Sequence, residues 1–247
     1  MFFPIDVIGK DSAFNRDQYT DAYAPGIERL FWHVARNATI LRWLRRCGMD
    51  AEKLLEIGCG PGIVVDYLRA RGVDCIGCDL ASPSVPDRLA DVIFASTDFR
   101  SLPLAVRSNI DGVLLCDVME HLDDPVGFLR SLPESLPSST RALITVPARN
   151  ELWSAWDDRY GHFRRYDLDM LRAELEAAGL TLIASRYFFQ SLYLPMRLAK
   201  RSRGGVIEPP TTAWPHRIIG AAMGLEQRII PARVPGASII AVAAHFR

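Results

Sequence analysis

The chain has 247 residues, of which 49% are hydrophobic, and its 29 Lys and Arg residues balance its 29 Asp and Glu residues. The apolar content excludes an intrinsically disordered protein, and the length suffices for one large α/β domain with elaborations or for two domains. Zero net charge leaves no whole-molecule field that would attract nucleic acid or acidic partners, so any electrostatic selectivity must be local.

The N-terminal segment MFFPIDVIGKDS lacks both the basic and the long apolar part of a signal peptide. No apolar stretch approaches the roughly 18 residues that a membrane-spanning helix needs. Because the chain also carries 5 cysteines without an export signal, we expect reduced thiols and a cytoplasmic protein.

Apolar periodicity predicts an arm over 1–22, one or two amphipathic helices over 25–46, and then strands that alternate with helices. The predicted strands are 53–58, 73–80, 91–96, 110–117, 141–147, 180–189 and 238–246. One helix is predicted over 62–70. Two more are predicted to begin after the capping residues Asp124 and Asp167.

This alternation is typical of a doubly wound, mostly parallel seven-stranded α/β sheet that binds its ligands at the C-terminal ends of the strands. No helical pattern directly precedes the last strand, which we therefore expect to be antiparallel. The expected organisation is a helical cap over 1–50, a core over 51–189, an insertion over 190–236 and a final strand over 237–247. A connection as long as this insertion usually has a function or a structure of its own.

Cys75 and Cys78 form a CxxC pair inside the second predicted strand. Residues three apart in a strand point to opposite faces, so one metal ion would not easily take both. With no second CxxC or His pair at ligand spacing, we expect core packing and no metal site.

A glycine-rich turn follows the first strand in LLEIGCGPG. Glycines at 58, 60 and 62 let the backbone turn tightly and approach a bound group. A dinucleotide fingerprint is GxGxxG, whereas the spacing here is GxGxG, with Ile63 where the third glycine would fall. Glu56 would repel a phosphate, so a cationic or zwitterionic ligand suits the turn better.

The turn resembles the E-x-G-x-G-x-G motif of the class I S-adenosylmethionine-dependent methyltransferases. The resemblance extends over 50–185, through an acid after each of strands two and three and the block LLCDVMEHLDDP after strand four. It implies a Rossmann-like methyltransferase fold, S-adenosyl-L-methionine as methyl donor and S-adenosyl-L-homocysteine as product.

The cofactor-binding residues that the resemblance implies are Glu56, Gly58, Gly60, Gly62, Asp79, Leu80, Asp98, Phe99 and Asp117. Asp79 would accept hydrogen bonds from the ribose hydroxyls and Asp98 from the adenine amino group. Glu56 and Asp117 would lie near the amino-acid end or the sulfonium, where negative charge favours a cation. The alternative for Asp79 and Asp98 is an ordinary acid in a turn.

His121 and His162 are the candidate catalytic bases, since both follow strands at the expected functional edge. Methyl transfer needs alignment and water exclusion, and a base if the acceptor is a hydroxyl. The two histidines therefore favour an oxygen acceptor over other atoms. The alternative for His121 is a structural residue that leads into the next helix.

The segment YGHFRRYD follows strand five and is similar to a Gly-His-x-Arg-Arg-Tyr pattern in methyltransferases often associated with bacterial envelope and natural-product clusters. Arginines supply bidentate donors for phosphate or carboxylate, and aromatic rings supply flat apolar walls. The candidate substrate-binding residues are Trp153, Tyr160, Arg164, Arg165 and Tyr166. In the alternative interpretation, the arginines pair with Asp157 and Asp158, and Tyr166 packs beneath the helix.

The segment 188–207 joins apolar residues to Arg197, Lys200, Arg201 and Arg203, a composition typical of membrane-surface segments. The alternative is a helix that packs on the sheet with a solvated basic edge. If this segment contacts the inner face of a membrane, the acceptor would be lipid-linked or amphiphilic.

Together these patterns predict an enzyme that methylates a small or amphiphilic acceptor, with no nucleic-acid partner. No Asn/Asp-Pro-Pro-Tyr/Phe tetrapeptide for a flipped base occurs in the sequence. One alternative is an NAD-dependent oxidoreductase, against which the GxGxG spacing, Ile63 and Glu56 count. Another is a catalytically inactive S-adenosylmethionine-binding protein, which nothing in the sequence excludes.

Overall fold

The computed structural model describes residues 22–199 and 208–245. Most of the predicted arm over 1–22 lies outside these residues, as do the cations Lys200, Arg201 and Arg203. Within them, every helix falls short of the length or the apolar character that crossing a bilayer requires.

The described residues form one seven-stranded sheet in the order β3-β2-β1-β4-β5-β7-β6. Its strands are β1 Leu54–Ile57, β2 Cys75–Cys78, β3 Ile93–Phe94, β4 Gly112–Cys116, β5 Arg141–Pro147, β6 Leu180–Phe188 and β7 Ser238–His245. Strands β1 to β5 pair in parallel, and β7 is antiparallel to both β5 and β6. The predicted fold class and the antiparallel last strand are therefore confirmed.

The helices predicted over 25–46 and 62–70 and after Asp124 and Asp167 are present, together with others that the sequence did not predict. They are α1 Phe31–Cys47, α2 Ile63–Arg69, α3 Leu104–Arg107, α4 Pro125–Ser135, α5 Ala155–Arg159, α6 Leu168–Ala177, α7 Gln190–Leu198 and α8 Ala213–Ile229. Asp124 accepts a hydrogen bond from the Gly127 amide at 2.9 Å, and Asp167 accepts one from the Met170 amide at 2.8 Å. Both predicted N-caps thus close the first turns of α4 and α6.

Two apolar clusters fill the faces of the sheet, because successive strand residues point to opposite sides. Cys75 packs in the cluster on one face and Cys78 in the cluster on the other. Both thiols are buried and free of disulfides. The pair is therefore core packing, as predicted.

Helices from the two ends of the chain pack together over one edge of the molecule. Gly220 of α8 lies so close to α1 that an added Cβ would come within 2.7 Å of Val34 Cγ1. The Arg42 guanidinium donates to the Gly224 carbonyl at 2.8 Å. The insertion between β6 and β7 thus has structure of its own and packs against α1. Helix α1 lies in the segment over 1–50 that was expected to form a cap.

A carboxylate of α8 caps the beginning of α7. Glu226 accepts hydrogen bonds from the backbone amides of Gln190 at 2.9 Å and Ser191 at 3.0 Å. Phe189, just before α7, has a left-handed backbone with φ 60° and supplies no cap of its own. The side chain of Glu226 therefore satisfies amides that a helix normally leaves without a partner.

Candidate active site

A cavity opens at the C-terminal ends of β1, β2 and β4. Strand order reverses between β1 and β4, which is where open α/β sheets bind their ligands. Seven residues predicted from the sequence line the cavity: Gly58, Asp79, Leu80, Asp98, Phe99, Asp117 and His121.

Of the three glycines of the turn, Gly58 lines this cavity. Gly58 has φ 73°, and a Cβ there would lie 2.8 Å from Val118 Cγ2. Gly60 has φ 56°, and a Cβ there would lie 2.7 Å from the Tyr23 ring, which also lines the cavity. Gly62 does not line it and instead begins α2. The turn therefore needs glycine for its backbone angles and for space.

Asp79 joins the glycine turn to the loop after β2. Its Oδ2 accepts from the Gly60 amide at 2.7 Å, and its Oδ1 accepts from the Ala81 amide at 2.8 Å. Burial raises the pKa of Asp79, although these two amides oppose the shift. Each carboxylate oxygen keeps further acceptor capacity, so the side chain can still receive two hydroxyl donors from the cavity.

Asp98 precedes a 3₁₀ turn, Phe99–Ser101, and caps it by accepting from the Arg100 amide at 2.7 Å. The Arg100 guanidinium also donates to Asp98 at 2.7 Å. Partial burial raises the pKa of Asp98, but the hydrogen bonds from Arg100 prevail and lower it. The acid therefore stays ionised beside the cavity.

Asp117 follows β4 directly and has a left-handed backbone with φ 58°, which is unusual for a residue other than glycine. Thr145 fixes it, since the Thr145 hydroxyl donates to Asp117 Oδ1 at 3.0 Å and the Asp117 amide donates to the Thr145 carbonyl at 2.9 Å. The buried guanidinium of Arg36 donates to Asp117 Oδ2 at 2.5 Å. Burial opposes the charge on Arg36, but Asp117 raises its pKa above the ordinary value.

Glu56 is only 2% exposed and does not line the cavity. Burial raises its pKa to about 8, against the opposing effect of Arg36. Its Oε2 has no hydrogen-bond partner among the described residues. Burial therefore disfavours the negative charge that the sequence motif suggested for Glu56.

The two candidate bases come together at the rim of the cavity. His121 belongs to the 3₁₀ turn Met119–His121 after β4, and His162 lies in the loop after α5. Their rings meet edge to face with centroids 4.8 Å apart. The backbone holds the two segments together, because the Phe163 amide donates to the Glu120 carbonyl at 2.8 Å.

Asp157 orients the ring of His162. The carboxylate is fully buried, and its Oδ1 lies 2.8 Å from His162 Nδ1 and 2.7 Å from Arg165 Nε. Burial opposes ionisation, but hydrogen bonds from His162 and Arg165 lower the pKa of Asp157 to about 2. Because a carboxylate only accepts, His162 donates from Nδ1 and presents Nε2 to its other surroundings.

The five candidate substrate-binding residues do not line the cavity. Arg165 is buried, with its guanidinium on Asp157 and on the Ala148 carbonyl. Tyr166 is fully buried and donates to the Met119 carbonyl at 3.3 Å. We therefore reassign both from substrate contact to support of the rim, because their polar groups face protein partners.

The other three candidates pack around the same rim. Arg164 donates to Glu174 at 3.2 Å and to the Asp123 carbonyl at 2.9 Å. Trp153 donates to Asp158 at 2.9 Å, and Tyr160 stacks on Trp156 with centroids 5.8 Å apart. The expected pairing of an arginine with Asp157 is present, whereas Asp158 pairs with a tryptophan.

A family model described as "Methyltransferase domain" matches residues 21–185 of the chain. The chain belongs to this family of S-adenosylmethionine-dependent methyltransferases. The glycine turn and the acids after strands two to four indicated this family, this enzyme class and this cofactor. All three predictions are confirmed. This membership also counts against the nicotinamide-dependent alternative.

Curated relatives with the name ubiquinone biosynthesis O-methyltransferase include proteins from Acinetobacter baumannii and Cereibacter sphaeroides. The protein from Acinetobacter baumannii is 28% identical over 124 residues, which cover 46% of this chain and 52% of the relative. The one from Cereibacter sphaeroides is 33% identical over 104 residues, which cover 40% and 42%. The chain thus spans about half the length of the curated relatives it matches.

Solved structures share the fold of this methyltransferase. The 1,6-didemethyltoxoflavin-N1-methyltransferase of Burkholderia thailandensis aligns with a TM-score of 0.55 at 16% identity, over 94% of this chain and 87% of that one. The magnesium protoporphyrin IX methyltransferase of Synechocystis aligns with a TM-score of 0.53 at 14% identity, over 96% and 90%. Identities this low show the common fold alone.

Sequence reasoning missed three residues of the methyltransferase site: Tyr23, Arg36 and Glu120. Tyr23 lies next to the predicted arm, for which the sequence suggested no contact. Arg36 had one signal, a cation among the apolar residues of an amphipathic helix. Glu120 is acidic yet only 1% exposed, which becomes visible only in the folded chain.

Proposed function

We propose that this protein transfers the methyl group of S-adenosylmethionine to a hydroxyl oxygen of a small or amphiphilic acceptor. The observation that carries the proposal is the array Asp157, His162 and His121 at the rim of the cofactor cavity. This array could remove the proton of an acceptor hydroxyl that is bound at the rim of the cavity.

The residues around the cavity fit the cofactor. Val118 fills the space that a side chain at position 58 would need, and Gly58 lines the cavity, where its backbone can approach a bound group. Asp79 has acceptor capacity left for the ribose hydroxyls, and Asp98 is an ionised acceptor for an amino group. Bound S-adenosylmethionine would supply a methyl group made electrophilic by the sulfonium. The pair of Arg36 and Asp117 would hold its amino-acid end.

The chain would activate the acceptor through His162. Its Nδ1 donates to Asp157, so Nε2 can accept the proton of an acceptor hydroxyl. The buried pair of Asp157 and Arg165 fixes the His162 ring, so the base is already oriented when the acceptor binds. Such positioning supplies much of the rate in displacement reactions.

Two observations support oxygen and an amphiphilic acceptor. The curated relatives are named as O-methyltransferases of ubiquinone biosynthesis. Beside His121, the cavity is lined by the apolar side chains of Val118, Leu122 and Phe128. An acceptor with a hydroxyl on an apolar body matches this lining.

We further propose that α7 contacts an anionic membrane surface. Leu194 and Leu198 are 59% and 77% exposed, and Arg197 of the same helix is also exposed. Exposed apolar side chains beside cations bind the boundary between lipid headgroups and acyl chains. The contact would bring a lipid-linked acceptor to the cavity.

The proposal is tested with methyl-labelled S-adenosylmethionine, a panel of phenols and polar lipids with matched amines, and mass spectrometry of the labelled product. We expect the label on oxygen. Label confined to amines would refute oxygen transfer. Failure to label any acceptor, with cofactor binding intact, would favour the inactive binding protein.

A further inference from the structure

We propose that Glu120, His121 and His162 bind a divalent first-row transition metal of the Zn²⁺ type, with one coordination position open to the acceptor hydroxyl. The inference deepens the proposed function and rests on it for the identity of the acceptor group. The ion-binding site itself is argued from this chain's residues alone.

The three side chains offer a suitable donor set at short range. One ligand atom from each lies within 4.8 Å of the others. Ligand bonds of about 2.0–2.2 Å place the ligand atoms of a tetrahedral ion about 3.3 Å apart, so small side-chain rotations would close the set. Two imidazoles and one carboxylate are typical of catalytic zinc sites, which keep a fourth position open.

Glu120 supplies a second, independent observation that points to a cation. Its side chain is buried, with the residue 1% exposed, and its Oε2 has no hydrogen-bond partner among the described residues. A buried acceptor without a partner destabilises the fold, and a buried negative charge is normally paired or bound to a metal. A divalent ion would both coordinate this oxygen and supply the positive charge that a buried carboxylate needs.

The surroundings of His162 match those of a metal ligand. A histidine that binds a metal through one nitrogen usually donates a hydrogen bond from the other to a carboxylate. His162 does so from Nδ1 to Asp157 at 2.8 Å, which leaves Nε2 as the ring nitrogen available to an ion. Arg165 holds Asp157 in turn, at 2.7 Å. A general base acting alone would need this orientation but would not need the buried Glu120.

A bound ion would change how the hydroxyl proton is removed. The acceptor oxygen would take the open position, where the positive charge lowers the pKa of the hydroxyl and its proton leaves to water. That oxygen then forms a bond to the methyl carbon while the carbon–sulfur bond breaks. The electron pair of the broken bond stays on sulfur. The products are the methyl ether, S-adenosylhomocysteine and one proton.

The test measures metal binding directly on metal-free, tag-free protein. Co²⁺ is titrated and followed by its visible ligand-field absorption, and Zn²⁺ binding is followed by calorimetry. We expect about one ion per chain in the wild type. We expect affinity to fall by more than about 100-fold in Glu120→Gln and His162→Ala, and by about 10–100-fold in Asp157→Asn.

His216→Ala is the matched control, since this histidine of α8 stacks on Phe31 away from the three proposed ligands. It should bind Co²⁺ like the wild type. Calorimetry with S-adenosylhomocysteine checks that each variant is folded. Glu120→Gln preserves the shape of the side chain, so it keeps the test valid if His162→Ala fails to fold.

Several outcomes would overturn the metal site. They are no Co²⁺ binding in folded wild type, unchanged binding in Glu120→Gln, or the near-ultraviolet band of a cobalt–thiolate bond, which would place the ion on a cysteine. Methyl transfer to oxygen without metal binding would sink the inference and leave the proposed function standing. Metal binding with label only on amines would refute the proposed oxygen transfer and leave the metal site standing.

Discussion

The guanidinium of Arg36 lies 2.5 Å from Oδ2 of Asp117, and this ion pair connects α1 to the end of β4. The side chains are 11% and 23% exposed, so the pair is largely shielded from solvent. It joins a helix outside the sheet to an acid that lines the cofactor cavity. Removal of either partner would leave the other charge poorly compensated.

Arg36→Ala should therefore weaken cofactor binding. We expect a loss of about 10–100-fold in affinity for S-adenosylhomocysteine, measured by calorimetry, because the net worth of such a pair is about 1.5–3 kcal/mol. Arg45→Ala is the matched control. Arg45 lies on the same helix, and its ion pair with Asp50 is long, at 4.0 Å, and exposed to solvent. Equal affinities in the two variants would remove Arg36 from the cofactor site.

Gly58→Ala should reduce cofactor affinity and stability together. The new Cβ would lie 2.8 Å from Val118 Cγ2, at a backbone φ of 73°. Gly48→Ala is the control, because Gly48 has a similar φ of 65° but no atom within 4 Å of the added Cβ. We expect both to lose about 1 kcal/mol from backbone strain. Only Gly58→Ala should also lose binding of S-adenosylhomocysteine in calorimetry.

His162→Ala should strongly reduce turnover and leave cofactor affinity nearly unchanged. Loss of proton removal at the acceptor lowers the rate by about 10²–10⁴-fold. His216→Ala should retain the wild-type rate in the same methyl-transfer assay. A normal rate for His162→Ala would return the segment YGHFRRYD to a structural role.

Glu226→Ala should destabilise the fold without changing the cofactor site. The amides of Gln190 and Ser191 lose their acceptor, at a cost of about 1–3 kcal/mol in the free energy of unfolding. Urea unfolding measures this loss. Glu176→Ala, an exposed change on α6, should stay within about 0.5 kcal/mol of the wild type. A similar result for both variants would show that the cap on α7 contributes little.

Membrane contact predicts that the full chain floats with vesicles rich in anionic lipid at low salt and remains in solution with neutral vesicles. Leu194→Ser combined with Leu198→Ser should reduce the floating fraction, because both side chains are exposed and have no role in the sheet. Their cofactor affinity should match the wild type. Failure of the wild type to float would remove the membrane contact.

The sheet and the cofactor side could be predicted because their signals are local. Strand periodicity, the glycine spacing and the acid at the end of a strand each lie within a few residues of the structure they determine. Gly58, Asp79 and Asp98 illustrate this, since the loop that carries each residue also sets its position.

The acceptor side could be predicted only in part, because its side chains find partners far away in the sequence. Arg164 in YGHFRRYD donates hydrogen bonds to Glu174 and to the carbonyl of Asp123. The guanidinium of Arg165 donates to Asp157. The partner of Asp117 lies 81 positions before it in the chain. Composition suggests charged contacts here, but only packing decides which donors remain for a ligand.

The antiparallel strand β7 occupies an interior position between β5 and β6, although it comes after both of them in the chain. Within the described part of the chain β6 pairs only with β7, so it cannot join the sheet until Ser238–His245 has left the ribosome. The nascent chain must therefore hold the apolar residues of β6 outside its final pairing, where they are open to misassembly or to chaperones. Ribosome-release and pulse-proteolysis experiments should detect this late closure as a step that follows formation of the cofactor half.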